Sequence, residues 1–331
     1  MYSIDELNLK DSSEEEQIRT RKIFDNIKER SINEQFISEH EKDFFCLGVK
    51  LSLLDDGKIE DYPCCDNYKF KMIYLSYFHD LSGNGEYEKV KGKTIYKVEK
   101  IECDKDIAYL SQVASKWLDV INVTNHSNEL LKQISKETRE ELKEVEKNKG
   151  MLIFRRDKEQ YKLNRRRILL QSKYIYCTAL LIFEMFDNKD FIFSINGQDI
   201  EINEYSIVHI LNRHFSEITK QKPDKSYHGK DIRPKYLNKQ LKDIITIIDS
   251  SGLLKDKDIK NINFRYKGIN YAIWINKRIK QVKNKGNVEY NRLETFYPIE
   301  NQDEIKKLEV ESEYYQINED IGIYIKKDSI K

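Results

Sequence analysis

Two of the six histidines in this chain, His209 and His214, sit in the run HILNRH with Arg213 between them. An unperturbed imidazole titrates near neutrality, so a pair can take up and release a proton in one pass. Arginine keeps its charge and grips phosphate through a fork of N–H groups. Such a set suits acid–base chemistry beside a phosphate. The plain alternative is a hydrogen-bonded core histidine at 214 and a surface residue at 209. A second candidate is Arg292–Pro298, RLETFYP. Strict strand alternation puts Glu294 and Phe296 on one face and Thr295 and Tyr297 on the other. Two adjacent hydroxyls could donate to a phosphate oxygen; a plain strand with an exposed tyrosine is the alternative. The third candidate is a set of cations, Lys230 and Arg233 in a loop and Arg265, Lys267, Lys277, Arg278, Lys280, Lys283 and Lys285 along predicted strands. Tyr266, Tyr271, Trp274 and Tyr290 lie among them. Basic and aromatic residues on a sheet suit single-stranded RNA, through phosphate pairing and base stacking. Lys230, Arg233, Lys267, Lys283 and Lys285 are the candidate RNA contacts, with a solvated sheet face as the alternative.

The element that must position the histidines is Gln198–Phe215, a short strand running into an amphipathic helix. At about 100° per residue, Ile207, Val208, Ile210, Leu211 and Phe215 share one arc. Tyr205, His209, Asn212 and Arg213 fall on the other side, and His214 lies within the apolar arc. His209 and Arg213 stack one turn apart. Phe191–Ile195 and Asp199–Ile202 read as a hairpin around Asn196-Gly197. A polar loop follows over Thr219–Pro234, then a second helix over Tyr236–Ser250. The strands Ile262–Tyr266, Tyr271–Lys277, Ile279–Lys283 and Val288–Tyr297 read as a four-stranded antiparallel meander.

Upstream, Ser12-Ser13 before three glutamates signals a helix start. Phe44–Leu54, Tyr68–Phe78 and Thr94–Cys103 read as strands, with turns at Asp55–Gly57 and Ser82–Gly85. Asp106–Val123 and Asn128–Lys149 read as helices, the latter stopped by Gly150. A further long helix opens at the arginine triplet 165–167 and runs to Asp187. A chain of 331 residues favours two domains. The reading is an α+β protein with an N-terminal regulatory or recognition domain over residues 1–150 and a C-terminal domain over 151–331.

Net charge is only +1, yet Gln221–Glu300 holds 18 basic against 9 acidic residues, which points to a polyanion at one site. The first twenty residues and the tail from Asn301 are acidic. None of the five cysteines forms a CxxC pair and no histidine stands at finger spacing, so neither a metal nor another cofactor is expected. An odd cysteine count without a signal peptide fits a reducing cytoplasm. The most apolar run, Tyr174–Phe186, is interrupted by Glu184 and is too short to span a bilayer, so it reads as a buried helix and no membrane is expected. Nucleotide-binding glycine loops and HExxH are absent from the sequence.

The order strand, helix with HIxxRH, basic loop, second helix, three strands and a closing strand with TFYP resembles the barnase–EndoU–colicin–RelE-like (BECR) ribonuclease superfamily, in its phage- and toxin-associated branches. The resemblance covers the C-terminal part only. It implies a metal-independent endoribonuclease, toxin-like, acting in phage defence or bacterial conflict. Its members activate a ribose 2′-hydroxyl against the neighbouring phosphate and leave a cyclic phosphate. It implies His209 or His214 as general base or acid, Arg213 as phosphate clamp, and Thr295 and Tyr297 on the closing strand. RNA is the implied partner, with an inhibitor or trigger protein acting through the first half. The alternative is a non-catalytic RNA- or protein-binding module.

Overall fold

The computed structural model describes residues 1–51, 58–77, 88–91, 94–147, 154–219, 224–282 and 286–327. They form an α+β protein of two compact units. One comprises Met1–Thr124 and Ser135–Met185, the other Asn125–Ile134 and Phe186–Lys331. The boundary read at 150/151 thus falls inside the first unit.

The first unit is mostly helical. It contains α1 (Ile4–Leu7), α2 (Glu14–Ile32), α3 (Glu39–Lys50), α4 (Asp66–Tyr77), the hairpin β1 (Glu88–Lys91) and β2 (Thr94–Lys97), and α5 (Lys100–Asn122). The helices α6 (Glu129–Lys147), of which Ser135 onward belongs to this unit, and α7 (Arg155–Met185) follow. The expected start at Ser13 is an N-cap that accepts from the Glu16 amide. Two predicted strands are helices instead. Ser38 and Glu41 close a reciprocal cap on α3, and Phe45, Cys46 and Val49 then share a buried face with Phe24 and Ile27. On α4, Phe70, Tyr74 and Tyr77 are buried at helical spacing. Short apolar runs do not separate the two periods, and on α3 the cap decides. Thr94–Cys103 divides: the strand ends at Lys97 and Cys103 is a buried residue of α5. Residues 52–54 and the turns at Asp55–Gly57 and Ser82–Gly85 lie outside the described residues. The helix α7 starts ten residues before the triplet. By length and composition it could cross a membrane, although 56% of its most apolar 18-residue window is buried inside the protein.

The second unit is built on a mixed sheet of seven strands, in place of the expected four-stranded antiparallel one. Its strands are β3 (Ile192–Ile195), β4 (Gln198–Glu201), β5 (Asn261–Tyr266), β6 (Ile269–Val282), β7 (Gly286–Pro298), β8 (Ser312–Gln316) and β9 (Ile321–Lys326), in the order β3-β4-β7-β6-β5-β9-β8. Every neighbouring pair is antiparallel except β4 with β7. The two strands predicted over 271–283 are one continuous β6, because Arg278 stays paired with Tyr290 and the ladder does not break. The acidic tail adds α10 (Gln302–Glu311), β8 and β9.

Two helices, α8 (Glu204–His214) and α9 (Leu237–Ser250), complete this unit. Asn203 caps α8 by accepting from the Ser206 amide. Ile207, Val208, Ile210 and Leu211 are fully buried. Each such side chain contributes roughly 1.5–3 kcal/mol, so packing holds a helix too short to stand alone.

Candidate functional site

The site forms where β4 stops. Its pairing with β7 ends at Glu201 and Arg292, and beyond that point α8 flanks β7. The Ser206 hydroxyl donates to the Leu293 carbonyl at 2.5 Å. Further along, the buried His228 donates through Nε2 to the Phe296 carbonyl at 3.0 Å. These two groups satisfy an open strand edge and bring the end of α8 against the centre of β7.

The register between β6 and β7 shifts at this place. Trp274 pairs with Thr295 and Ile275 with Leu293, which leaves Glu294 without a partner. This is a β-bulge, a device that re-aims side chains. Strict alternation would send Glu294 away from Thr295. In the structure its carboxylate accepts from Arg278 at 2.8 Å and from Arg292 at 3.0 Å, and it acts on His209. Burial pushes Glu294 up, but the two guanidinium groups outweigh burial and hold it below the ordinary carboxylate value.

His209, Arg213, His214, Thr295 and Tyr297 line one cleft of about 500 Å³. His214 Nδ1 lies 3.1 Å from the Ser226 carbonyl. A carbonyl only accepts, so Nδ1 carries the proton and Nε2 keeps its lone pair. That Nε2 stands 3.3 Å from the Thr295 hydroxyl, and the ring stacks on Tyr297 at 5.4 Å. His209 stacks on Tyr205 at 5.3 Å, and the Arg292 guanidinium lies 3.9 Å from the centre of the same tyrosine ring.

Burial lowers His214 to about 4, assisted by Lys225 and Arg213 and opposed by the bond to Ser226. Burial, then Arg213 and His214, lower His209 to about 4. Both are neutral at pH 7 and able to accept a proton. Tyr297 is raised, by burial and then by Glu304, whose carboxylate accepts from the phenol at 3.2 Å.

The remaining walls were not read from the sequence. Asp224, Lys225 and Ser226 come from the loop after α8, and Glu300, Asn301 and Glu304 from the start of α10. Asn301 accepts from the Asp303 and Glu304 amides, and asparagine before two acids is a helix-start signature that marks this wall. The loop carries no comparable signal. The cleft is therefore of mixed charge, with Arg213 and Lys225 facing three carboxylates.

The other candidate RNA contacts lie elsewhere. Lys230 and Arg233 are exposed and do not line the cleft. Lys267, at the turn between β5 and β6, pairs with Asp231 at 3.5 Å. Lys283 and Lys285 lie outside the described residues. Among the described residues no group of three or more His, Cys, Asp or Glu side chains is arranged to hold a metal ion. No family model, curated protein or solved structure matches this chain.

Proposed function

We propose that the second unit is a metal-independent endoribonuclease of BECR type, a toxin-like effector working in a reducing cytoplasm. The observation that carries the reading is the pairing of His214 Nε2 with Thr295 at 3.3 Å beside Arg213 in one cleft. His214 Nε2 takes the proton of a ribose 2′-hydroxyl. The freed oxygen attacks the adjacent phosphorus and the bond to the 5′-oxygen breaks, leaving a 2′,3′-cyclic phosphate. Arg213 pairs with the phosphate, and Thr295 and Tyr297 donate to its oxygens. The charge of Arg213 is one reason His209 is neutral. A bound phosphate offsets that charge, so His209 takes up a proton and gives it to the leaving 5′-oxygen.

The first unit serves as a regulatory or recognition part, a place for an inhibitor or trigger protein, because an always-active ribonuclease harms its own cell. A second reading, a non-catalytic RNA- or protein-binding module, is favoured by one observation: Glu300 and Glu304 in the cleft wall repel phosphate. RNA cleavage in EDTA separates the two. Product ending in cyclic phosphate supports the ribonuclease, and binding without cleavage supports the module.

A further inference from the structure

The face of the sheet beside the cleft displays a large aromatic ring, that of Trp274, to solvent. Trp274 lies directly opposite Thr295 in the register of β6 and β7, and opposed residues leave a sheet on the same face. Its strand is the middle one of seven. Its neighbours Ile273 and Ile275 are buried, whereas Trp274 is 46% exposed. Trp274 acts on the Tyr297 phenol, against the burial and the Glu304 carboxylate that raise it, so the ring stands beside the cleft's rim. The same face of β6 continues through Asn276, Arg278 and Lys280. Arg278 is balanced by Glu294 and Lys280 by Glu201. Charge along this path is thus largely cancelled, and the flat indole is what remains to hold a nucleic acid.

We propose that Trp274 is a base-stacking platform, on which the base of a nucleotide next to the scissile phosphate lies. This rests on the ribonuclease reading of the adjacent cleft and narrows its substrate to a single strand. In an A-form duplex each base face is already covered by its neighbours and the major groove is closed to side chains, so only an unpaired base reaches an indole on a sheet. Stacking accepts any base, so Trp274 selects strandedness over sequence.

The chain has two tryptophans, and Trp117 is buried, so a ligand-induced change in emission reports Trp274. The probe is a labelled 2′-deoxy oligothymidylate of about six nucleotides, within the span one sheet surface holds, which lacks the attacking hydroxyl. Binding to the full chain should quench emission and shield Trp274 from acrylamide. Trp274→Ala should weaken binding by about 5- to 150-fold, the range for one stacked base, and Trp274→Phe by less. An abasic strand of equal length should bind the wild type and Trp274→Ala alike. Absence of binding, or binding with unchanged emission and equal affinity of Trp274→Ala, overturns the proposal. The two readings fail separately. A strand that stacks while RNA stays uncut removes only the ribonuclease, and RNA cut equally well by Trp274→Ala removes only the platform.

Discussion

The imidazole Nε2 of His214, in the last turn of α8, stands 3.3 Å from the hydroxyl of Thr295 in β7. With Nδ1 held by the Ser226 carbonyl, this nitrogen keeps its lone pair for the cleft. His214→Ala should therefore lower RNA cleavage by about 10²- to 10⁴-fold, the usual contribution of a positioned base. Thr295→Val keeps the shape and removes the hydroxyl, and should cost less than His214→Ala. Initial rates on a labelled single strand decide, and equal rates in His214→Ala and wild type would remove His214 from the chemistry.

The pH profile follows from the same burial. His214 acts as base in its neutral form, and its lowered value of about 4 keeps it neutral well below pH 6. His209, also lowered to about 4 in the free chain, must gain a proton to act as acid, so cleavage measured as kcat/KM should rise as pH falls from 7 to 5 and turn down only as pH approaches about 4. A fall centred near 6.5, the ordinary histidine value, would show that the catalytic imidazole is not the buried one.

His228 should make the fold acid-sensitive. Burial, assisted by the neighbouring His214, lowers it from 6.5 to about 3. Below pH 6.5 the unfolded chain binds a proton that the folded chain refuses, so stability falls as pH drops from about 6.5 towards 3. The slope approaches about 1.4 kcal/mol per pH unit for this one residue, and His209 and His214 act with the same sign. His228→Gln keeps a donor for the Phe296 carbonyl but does not titrate. Urea midpoints at pH 7 and pH 5 should differ less in that variant than in wild type; identical differences would contradict the assignment.

The bulge at Glu294 should be worth measurable stability. Its side chain is 11% exposed and bound by two arginines. Glu294→Ala leaves both guanidinium groups facing one another and should cost about 1–3 kcal/mol by denaturant titration. A loss under about 0.5 kcal/mol, typical of a plain surface substitution, would mean the arginines find other partners at no cost.

Much of the second unit was legible in its sequence, for identifiable reasons. The arc from Ile207 to Phe215 has one period and one cap, so α8 could be drawn to within a residue. Asn196-Gly197, with both residues at positive φ, announced the hairpin. The bulge was not legible, because an extra residue in β7 leaves no mark in RLETFYP itself, and alternation then misplaced Glu294. Nor was the seven-strand order, since β4 joins β7 across 84 intervening residues and β9 joins β5 from the acidic tail. The mistaken strands at 44–54 and 68–78 failed because aromatic-rich runs suit either period, and the cap at Ser38 lies upstream of the apolar run it governs.

The central claim meets its most direct test in RNA incubated with the full chain in EDTA, wild type beside the His209→Ala/His214→Ala double variant, with product ends assayed for 2′,3′-cyclic phosphate. The account predicts cyclic-phosphate products from the wild type and none above background from the folded double variant. Equal cleavage by both, or cleavage by the wild type only when Mg²⁺ or Mn²⁺ is added, would contradict it.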